Sequence, residues 1–389
     1  MKNSRWILPV IVISQFCCTS LWFASNGVMT DLISAFDLPT NVLGDLTSAV
    51  QFGFIAGTLV FAILTIADRF SPSKVFLVSA LLGAIFNAAV IWDGNSLTTI
   101  LLLRFLTGFF LAGIYPVGMK IAADYFKKGL GKSLGYLVGA LVLGTALPHL
   151  LKNLFAGYSF TGVLLAVSIL AVFGGVLMAV LVPDGPYRKP SQKLNFSAFF
   201  KVFKNKEFRA AAFGYFGHMW ELYAFWAFVP VMLATFNKTT SSVACNVPLW
   251  SFLIIAIGGI ACILGGYLSL RLGAKKTART ALLLSGLCCL ISPFLLQTDS
   301  ALVLKTFLLF WGMVVIADSP MFSTLVAQNA DPQIKGTALT IVNCVGFAIT
   351  IISIQILSYL SGFIKPHYLF LILGLGPLFG LLSPRIFRA

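Results

Sequence analysis

Charge is what this chain has least of. Only 10% of its 389 residues are charged, and acids are the rarer sign, 12 against 27 Lys and Arg. Soluble domains sit nearer one quarter charged, so no part of the chain has room for the sizeable soluble domain of a receptor or sensor. Histidine is scarce too. The three present, His149, His218 and His367, lie far apart, and the G-x-S-x-G match at 131–135 follows an apolar helix where the nucleophile turn needs a strand. The nucleophile–base constellation of a membrane-embedded hydrolase or acyltransferase is therefore missing. Seven cysteines (Cys17, Cys18, Cys245, Cys262, Cys288, Cys289 and Cys344) include no CxxC pair. That supports neither a disulfide framework nor a zinc site, and no metal or cofactor is expected. The fragment GLGKS within residues 127–135 imitates a phosphate-binding loop. The glycine required five residues before Gly131 is Phe126, and an apolar helix leads in where a strand is needed. ATP binding is excluded.

What the chain has in abundance is apolar sequence, 59% of all residues, with a mean hydropathy of +0.95. Runs of about 20 apolar residues read as membrane-spanning helices. Against turn signals they give twelve spans, at 6–28, 44–66, 74–92, 97–122, 133–153, 160–182, 209–235, 248–270, 277–296, 301–326, 336–360 and 367–386. The expected fold class is an all-α membrane protein of twelve transmembrane helices. The basic, apolar amino-terminal stretch lacks a small-residue cleavage site and reads as the first helix, retained.

A net charge of +15 invites a nucleic-acid reading, but the placement of the charges argues against it. The side holding both termini carries 21 Lys and Arg residues, the opposite side only Lys152, Lys238 and Lys365. This is the positive-inside bias. It predicts a bacterial-type inner-membrane protein with both termini cytoplasmic, in contact with lipid and not with nucleic acid.

The longest polar stretch, 182–209, divides the chain into two parts of nearly equal length. The expected domains are 1–182 and 209–389, joined by a cytoplasmic linker at 183–208. The two parts echo each other. A shift of 202 carries Arg69 onto Arg271 and Lys74 onto Lys276; a shift of 204 carries Gly108 and Pro116 onto Gly312 and Pro320. A duplicated six-helix unit is the reading.

These residues carry a resemblance. The loop after the second span keeps Asp68 and Arg69, and its counterpart keeps Gly266, Leu268, Arg271, Gly273 and Lys275. The fourth span has Arg104 and Gly108 in an R-x-x-x-G pattern. In this the sequence resembles the major facilitator superfamily, with Leu64, Ser71 and Leu270 as departures from its loop motif. The G-P-x-x-G-G run of drug antiporters is missing. The flavour of SLWFASNGV and AGIYPVGMKIAADYF is nearest nitrate- and cyanate-type members, without the glycine-rich signature that would imply nitrate. The resemblance implies two pseudo-symmetric six-helix bundles, a central cavity lined by helices 1, 4, 7 and 10, and a cytoplasmic latch at Asp68, Arg69 and Arg271.

Polar residues inside the apolar spans supply the candidate site, because ionisable groups in hydrocarbon are costly and by default functional. Glu221 and His218 lie three apart in the seventh span and about 60° apart around it; they can share a proton. The alternative is a static ion pair, with Arg104 as the partner of Glu221. Asp318 is the other intramembrane acid. Pro320 cannot donate to the carbonyl of Ile316, so the tenth span must bend or break there. Asp318 then either couples protons or merely serves the break, with Ser319 placed to cap the second half. Arg104 presents a fork suited to an anion, on a face that continues through Tyr115. Lys120 and Asp124 read as a snorkelling pair along one helix. Gln15, Thr19, Trp22 and Asn26 form a polar stripe on the first span, facing either a wet cavity or a neighbouring helix. Tyr215 and Phe225 share the face of His218. Glycines at 53/57, 131/135/139 and 376/380 read as close-packing ladders.

The function that follows is a secondary transporter, expected monomeric, moving a small anionic or zwitterionic solute by alternating access with proton coupling. Its proton sites are Glu221, His218 and Asp318. Its substrate contacts are Arg104, Tyr115, Trp22, Asn26, Gln15, Tyr215 and Phe225. The alternatives are an uncoupled facilitator of the same fold and, far behind, an embedded enzyme.

Overall fold

The computed structural model describes residues 4–126, 130–156, 159–188, 202–239, 244–331 and 334–386. Half of the expected linker, 189–201, and the basic residues Lys2, Lys127, Lys128, Lys189, Lys193, Lys201 and Arg388 lie outside them. Among the described residues, ten helices are long and apolar enough to cross a membrane, and two shorter apolar helices are Trp6–Thr19 and Pro366–Leu382. Two compact units divide the chain, Met1–Lys193 and Leu194–Ala389.

In the first unit α1 is Ser4–Thr19, followed after a break by Ala24–Gly27 and Met29–Ala35. Then come α2 (Val42–Ile63), α3 (Pro72–Ala89), α4 (Leu97–Leu111 and Tyr115–Tyr125), α5 (Leu130–Leu154) and α6 (Phe160–Leu181). The second unit has α7 (Lys206–Thr239), α8 (Val247–Leu272), α9 (Ala274–Leu295), α10 (Ala301–Val314 and Ser319–Asn329) and α11 (Lys335–Leu360). Its last element, α12, runs as Pro366–Leu369, a 3₁₀ stretch Phe370–Gly374, and Leu375–Ile386.

The packing pattern is the same in both units. In the first, α1 packs on α5 and α6, α2 on α4, and α3 on α4 and α6; in the second, α7 packs on α11 and α12, α8 on α10, and α9 on α10 and α12. The glycines explain how the tightest of these pairs form. A Cβ on Gly108 of α4 would lie 2.0 Å from the carbonyl oxygen of Val50, and one on Gly312 of α10 would lie 2.1 Å from that of Ile254. Both glycines and both carbonyls are 204 residues apart. Without a hydrophobic drive between helices in lipid, such backbone-to-backbone approach is what holds them together. Of the expected ladders, Gly53 and Gly57 pack against α4 and Gly376 against Gly217 of α7, whereas Gly135 has nothing within 4 Å of an added Cβ.

The loop departures also have a reason. Gly273 takes φ +82, which favours glycine; its counterpart Ser71, at φ −58 and ψ 124, does not need one.

Three helices break. In α4 and α10 the break precedes a proline at the second position of the new half-helix, Pro116 and Pro320. A proline has no N–H to give the carbonyl four residues back. The break in α10 was legible; the matching one in α4 and the one in α1 were read as continuous helix. No proline marks residues 20–23 of α1. There Thr19 Oγ1 donates back to Gln15 O at 2.8 Å and Ser20 Oγ to Cys17 O at 2.6 Å, back-bonding of the kind that bends helices. The carbonyls released at the break are met by Arg104, whose guanidinium donates to Leu21 O at 3.0 Å, to Trp22 O at 2.8 Å and to Asn87 Oδ1 at 3.0 Å. Asn87 in turn donates to Leu164 O and Ser168 Oγ. One guanidinium thereby ties α1, α3 and α4 together, with α6 behind them.

Two predictions follow from this packing. Gly108→Ala and Gly312→Ala should each destabilise the protein by about 1–3 kcal/mol through overpacking, while Gly135→Ala leaves stability unlowered; thermal unfolding of purified protein in detergent reads both. Arg104→Lys keeps the charge and loses the fork. Hydrogen bonds to charged groups contribute roughly 1.5–3 kcal/mol each, so this variant should unfold at a clearly lower temperature.

Candidate functional site

The polar stripe of α1 is buried in the first unit. Gln15 and Thr19 are fully enclosed, and Trp22 and Asn26 nearly so. The stripe meets α2. Trp22 Nε1 donates to Gln51 Oε1 at 3.2 Å, and Asn26 Nδ2 to Thr47 Oγ1 at 2.9 Å. The Trp22 ring lies 4.8 Å from that of Phe54 and 6.5 Å, edge-on, from that of Tyr115. Trp22 and Tyr115 are thus neighbours, and Phe54 and Gln51 complete the group. The Gln15 amide and Gln51 Nε2 are buried with no hydrogen-bond partner among the described residues. Arg104 stands elsewhere. It is 0% exposed, with its fork spent on the α1 break, which corrects the expectation that it presents the fork to a solute.

The second unit holds the acids. Glu221 is 1% exposed. Its Oε1 accepts from Ser285 Oγ at 2.5 Å, Trp311 Nε1 at 2.6 Å and Cys289 Sγ at 3.3 Å. Phe225 packs against Trp311 with tilted rings, their centroids 4.8 Å apart. Both partner assignments made for Glu221 from sequence are corrected: its hydrogen-bond partners are neutral donors of α9 and α10, and neither His218 nor Arg104 is among them. The reason is the break in α10. It carries Asp318 to α7, where His218 Nδ1 lies 2.8 Å from Asp318 Oδ1.

Asp318 occupies the N-cap position of Ser319–Asn329 without capping through its side chain. Its backbone carbonyl accepts from Met321 N and Phe322 N, so the carboxylate is left for the histidine. Ser319, expected as the cap, is the first helical residue. Around the pair, Tyr215 and Phe322 place their rings 6.1 Å and 6.5 Å from the imidazole, and Tyr215 Oη donates to Asn343 Oδ1 at 2.9 Å. His218 Nε2 and Asp318 Oδ2 are buried without a hydrogen-bond partner.

At the ends of α2 and α4, Asp68 Oδ1 accepts from Lys120 Nζ at 2.6 Å; Lys120 reaches across to it, beyond its expected partner Asp124 on the same helix. Arg69 and Arg271 are exposed. The start of the expected linker belongs to this region. Arg188 donates to Asp68 O at 2.8 Å and Phe70 O at 2.7 Å, Ser71 Oγ donates to Asp184 Oδ1 at 2.6 Å, and Tyr125 Oη donates to Pro183 O at 2.6 Å. Residues 182–188 thus strap the loop between α2 and α3 to the end of α4.

Sequence reasoning missed Gln51, Asn87, Ser285, Trp311 and Asn343. Three of them, Gln51, Asn87 and Asn343, carry the signal that found the others, a polar amide inside an apolar run. Ser285 and Trp311 carry no such mark.

Comparison with known proteins agrees with this architecture. The family model described as Major Facilitator Superfamily matches residues 11–354. The niacin transporter NiaP of Acinetobacter baylyi is 33% identical over 159 residues, 35% of this chain and 36% of that protein, so the alignment spans about a third of the relative. The solved structure of the proton:xylose symporter XylE, bound to 6-bromo-6-deoxy-D-glucose, is similar with a TM-score of 0.77 at 14% identity, covering 100% of this chain and 97% of that one. At that identity the likeness is one of fold. The chain belongs to the major facilitator superfamily: it is a multi-pass membrane transporter of small solutes and not an enzyme.

Proposed function

We propose that this transporter is driven by protons and moves a small anionic or zwitterionic solute by alternating access, as a monomer in a bacterial-type inner membrane with both termini cytoplasmic. The observation that carries the reading is the buried pair His218–Asp318 at the break of α10, 2.8 Å apart, with a second enclosed carboxylate, Glu221, one turn along α7. Broken helices inside the bilayer are where transporters of this kind place ions and substrates. A carboxylate kept there against its desolvation cost is kept for a purpose.

The solute meets the first unit at Trp22 and Tyr115, which give flat apolar walls. The unpartnered Nε2 groups of Gln15 and Gln51 offer hydrogen bonds to its oxygens, and Asn26 fixes the adjoining turn of α1. Tyr215 and Phe225 serve the same purpose in the second unit. Arg104 acts as a positioning residue that holds the α1 break in shape. Asp68, Arg69 and Arg271 brace the cytoplasmic ends, where the Lys and Arg excess sets the orientation. Resemblance to a niacin transporter and to a proton:xylose symporter is consistent with a small polar cargo and with proton drive.

One observation favours an uncoupled facilitator instead: three donors on Glu221 Oε1 also suit a permanently fixed anion. The test separates the two. A thermal-shift screen of small acids, amino acids and metabolites on purified protein identifies a solute, which is then followed in proteoliposomes. Glu221→Gln should abolish accumulation driven by a pH gradient while leaving solute exchange measurable. Unchanged gradient-driven uptake in that variant, or wild-type uptake indifferent to a protonophore, rejects the coupling role.

A further inference from the structure

The second unit contains a small cavity at the ends of three of its helices. It is about 30 Å³ in volume, room for a water molecule. Its mouth lies where α7 and α9 begin and α10 ends, at Glu207, Lys275, Arg279 and Asn329. Glu207 and Lys275 are paired there at 3.1 Å. Inward, the wall is Ala211, Gly380 and the ring of Phe322.

Phe322 has the cavity on one side and the buried pair on the other. It is 3% exposed and lies two turns inside Asn329, about 10 Å at the helical rise. The Cδ1–Cε1–Cζ edge of its ring packs on Gly214, where a Cβ would come within 2.2 Å of Cε1. One turn further along α7 is His218, with its imidazole 6.5 Å from the same ring. Phe322 is thus the side chain shared by the cavity wall and the surroundings of His218–Asp318. Beyond it, His218 Nε2 and Asp318 Oδ2 have no hydrogen-bond partner, although buried polar groups are nearly always satisfied by protein or water.

We propose that this cavity is a proton inlet from the Lys- and Arg-rich side to His218–Asp318, contained within the second unit, and that Phe322 is its gate. A shift of the Phe322 ring off Gly214 admits water from the cavity to the free atoms of the pair, and a proton passes along that water to the imidazole or the carboxylate. No bond other than the transferred O–H or N–H is made or broken. The groups that face the path are Glu207 on α7, Lys275 and Arg279 on α9, and Asp318 on α10. Glu221 and Tyr215 on α7 and Cys262 on α8, whose thiol donates to Ile316 O at 3.6 Å, surround the pair itself. Two cations against one anion at the mouth oppose entry of sodium or potassium, while a proton relayed through water needs no ion to enter. The inference rests on the coupling role of His218–Asp318 and adds the route and its gate.

The test needs no solute. Purified full-length protein is reconstituted in liposomes holding a pH-sensitive dye, and proton flux under an imposed pH gradient is followed. Phe322→Ala should raise the flux several-fold over wild type, Gly214→Ala should do the same by displacing the ring, and Phe322→Leu should stay near wild type. The double variant Phe322→Ala/Asp318→Asn should return to the wild-type rate. Flux unchanged in both Phe322→Ala and Gly214→Ala, or a raised flux that survives Asp318→Asn, overturns the inlet. A pH-difference infrared spectrum separates this from the coupling reading. A protonated-carboxyl band lost in Asp318→Asn shows that Asp318 titrates whatever the fluxes do, and absence of such a band rejects the reading on which the inlet rests.

Discussion

Hydrocarbon offers a backbone no partners, so every helix break within the bilayer must be repaid from inside the protein. Most of what is chemically notable in this chain is a consequence. Where α1 breaks at residues 20–23, two released carbonyls are met by a guanidinium. Where α10 breaks, the carbonyl of Ile316 is met by Ser319 N and by the Cys262 thiol. The Asp318 carbonyl opens the next half-helix, and its carboxylate is left over. A leftover carboxylate cannot stand alone at 1% exposure, and His218 is what stands beside it. The break thus creates both the need for a buried polar partner and the geometry that permits it.

The same constraint explains why Arg104 is a strut and not a hand held out to a solute. A guanidinium has five donors in a fixed plane, and three bonds from it go to groups on α1 and α3. Those three bonds bring charge-assisted stabilisation to carbonyls that would otherwise be stranded. An anion would have to compete with them. Arg104 Nε and the Gln15 and Gln51 Nε2 groups are all left without a partner among the described residues; what sets Arg104 apart is that its other nitrogens serve the released carbonyls of α1 and Asn87 of α3.

Much of the architecture was legible because its signals are local and additive. Apolar run length, the Lys and Arg bias and the offset near 204 each depend on residue identity alone, and the break in α10 is announced by Pro320. The parts that were not legible depend on partners distant in the chain. Glu221 and His218 are three apart on one helix and were read as a pair for that reason. Yet Glu221 takes donors from Ser285, Cys289 and Trp311, and His218 takes an acid from beyond the α10 break. The break in α1 has no proline or glycine to betray it. Its cause is hydroxyl back-bonding from Thr19 and Ser20, which becomes a break only because Arg104 is present to receive the carbonyls. The strap at 182–188 was hidden in the same way. A polar stretch rich in proline and glycine reads as linker until Arg188 is seen on the carbonyls of Asp68 and Phe70.

The two units keep one scaffold and divide the chemistry. At the shared offset, Gly108 and Gly312 meet Val50 and Ile254 by the same backbone contact, and Pro116 and Pro320 open the same half-helix. At that offset Arg104 corresponds to Leu308, Thr107 to Trp311, and Ile114 to Asp318. Ile114 and Asp318 both occupy the N-cap position after the break, and neither caps through its side chain. The residue there is therefore free to be apolar in one unit and acidic in the other without changing the fold. The duplicated glycine and proline positions carry the geometry, so the positions between them could diverge, leaving a guanidinium and amides in the first unit and the carboxylates with their histidine in the second. Under the proposed proton coupling that division has a use: groups suited to the cargo's oxygens and groups suited to the proton need not share one dielectric.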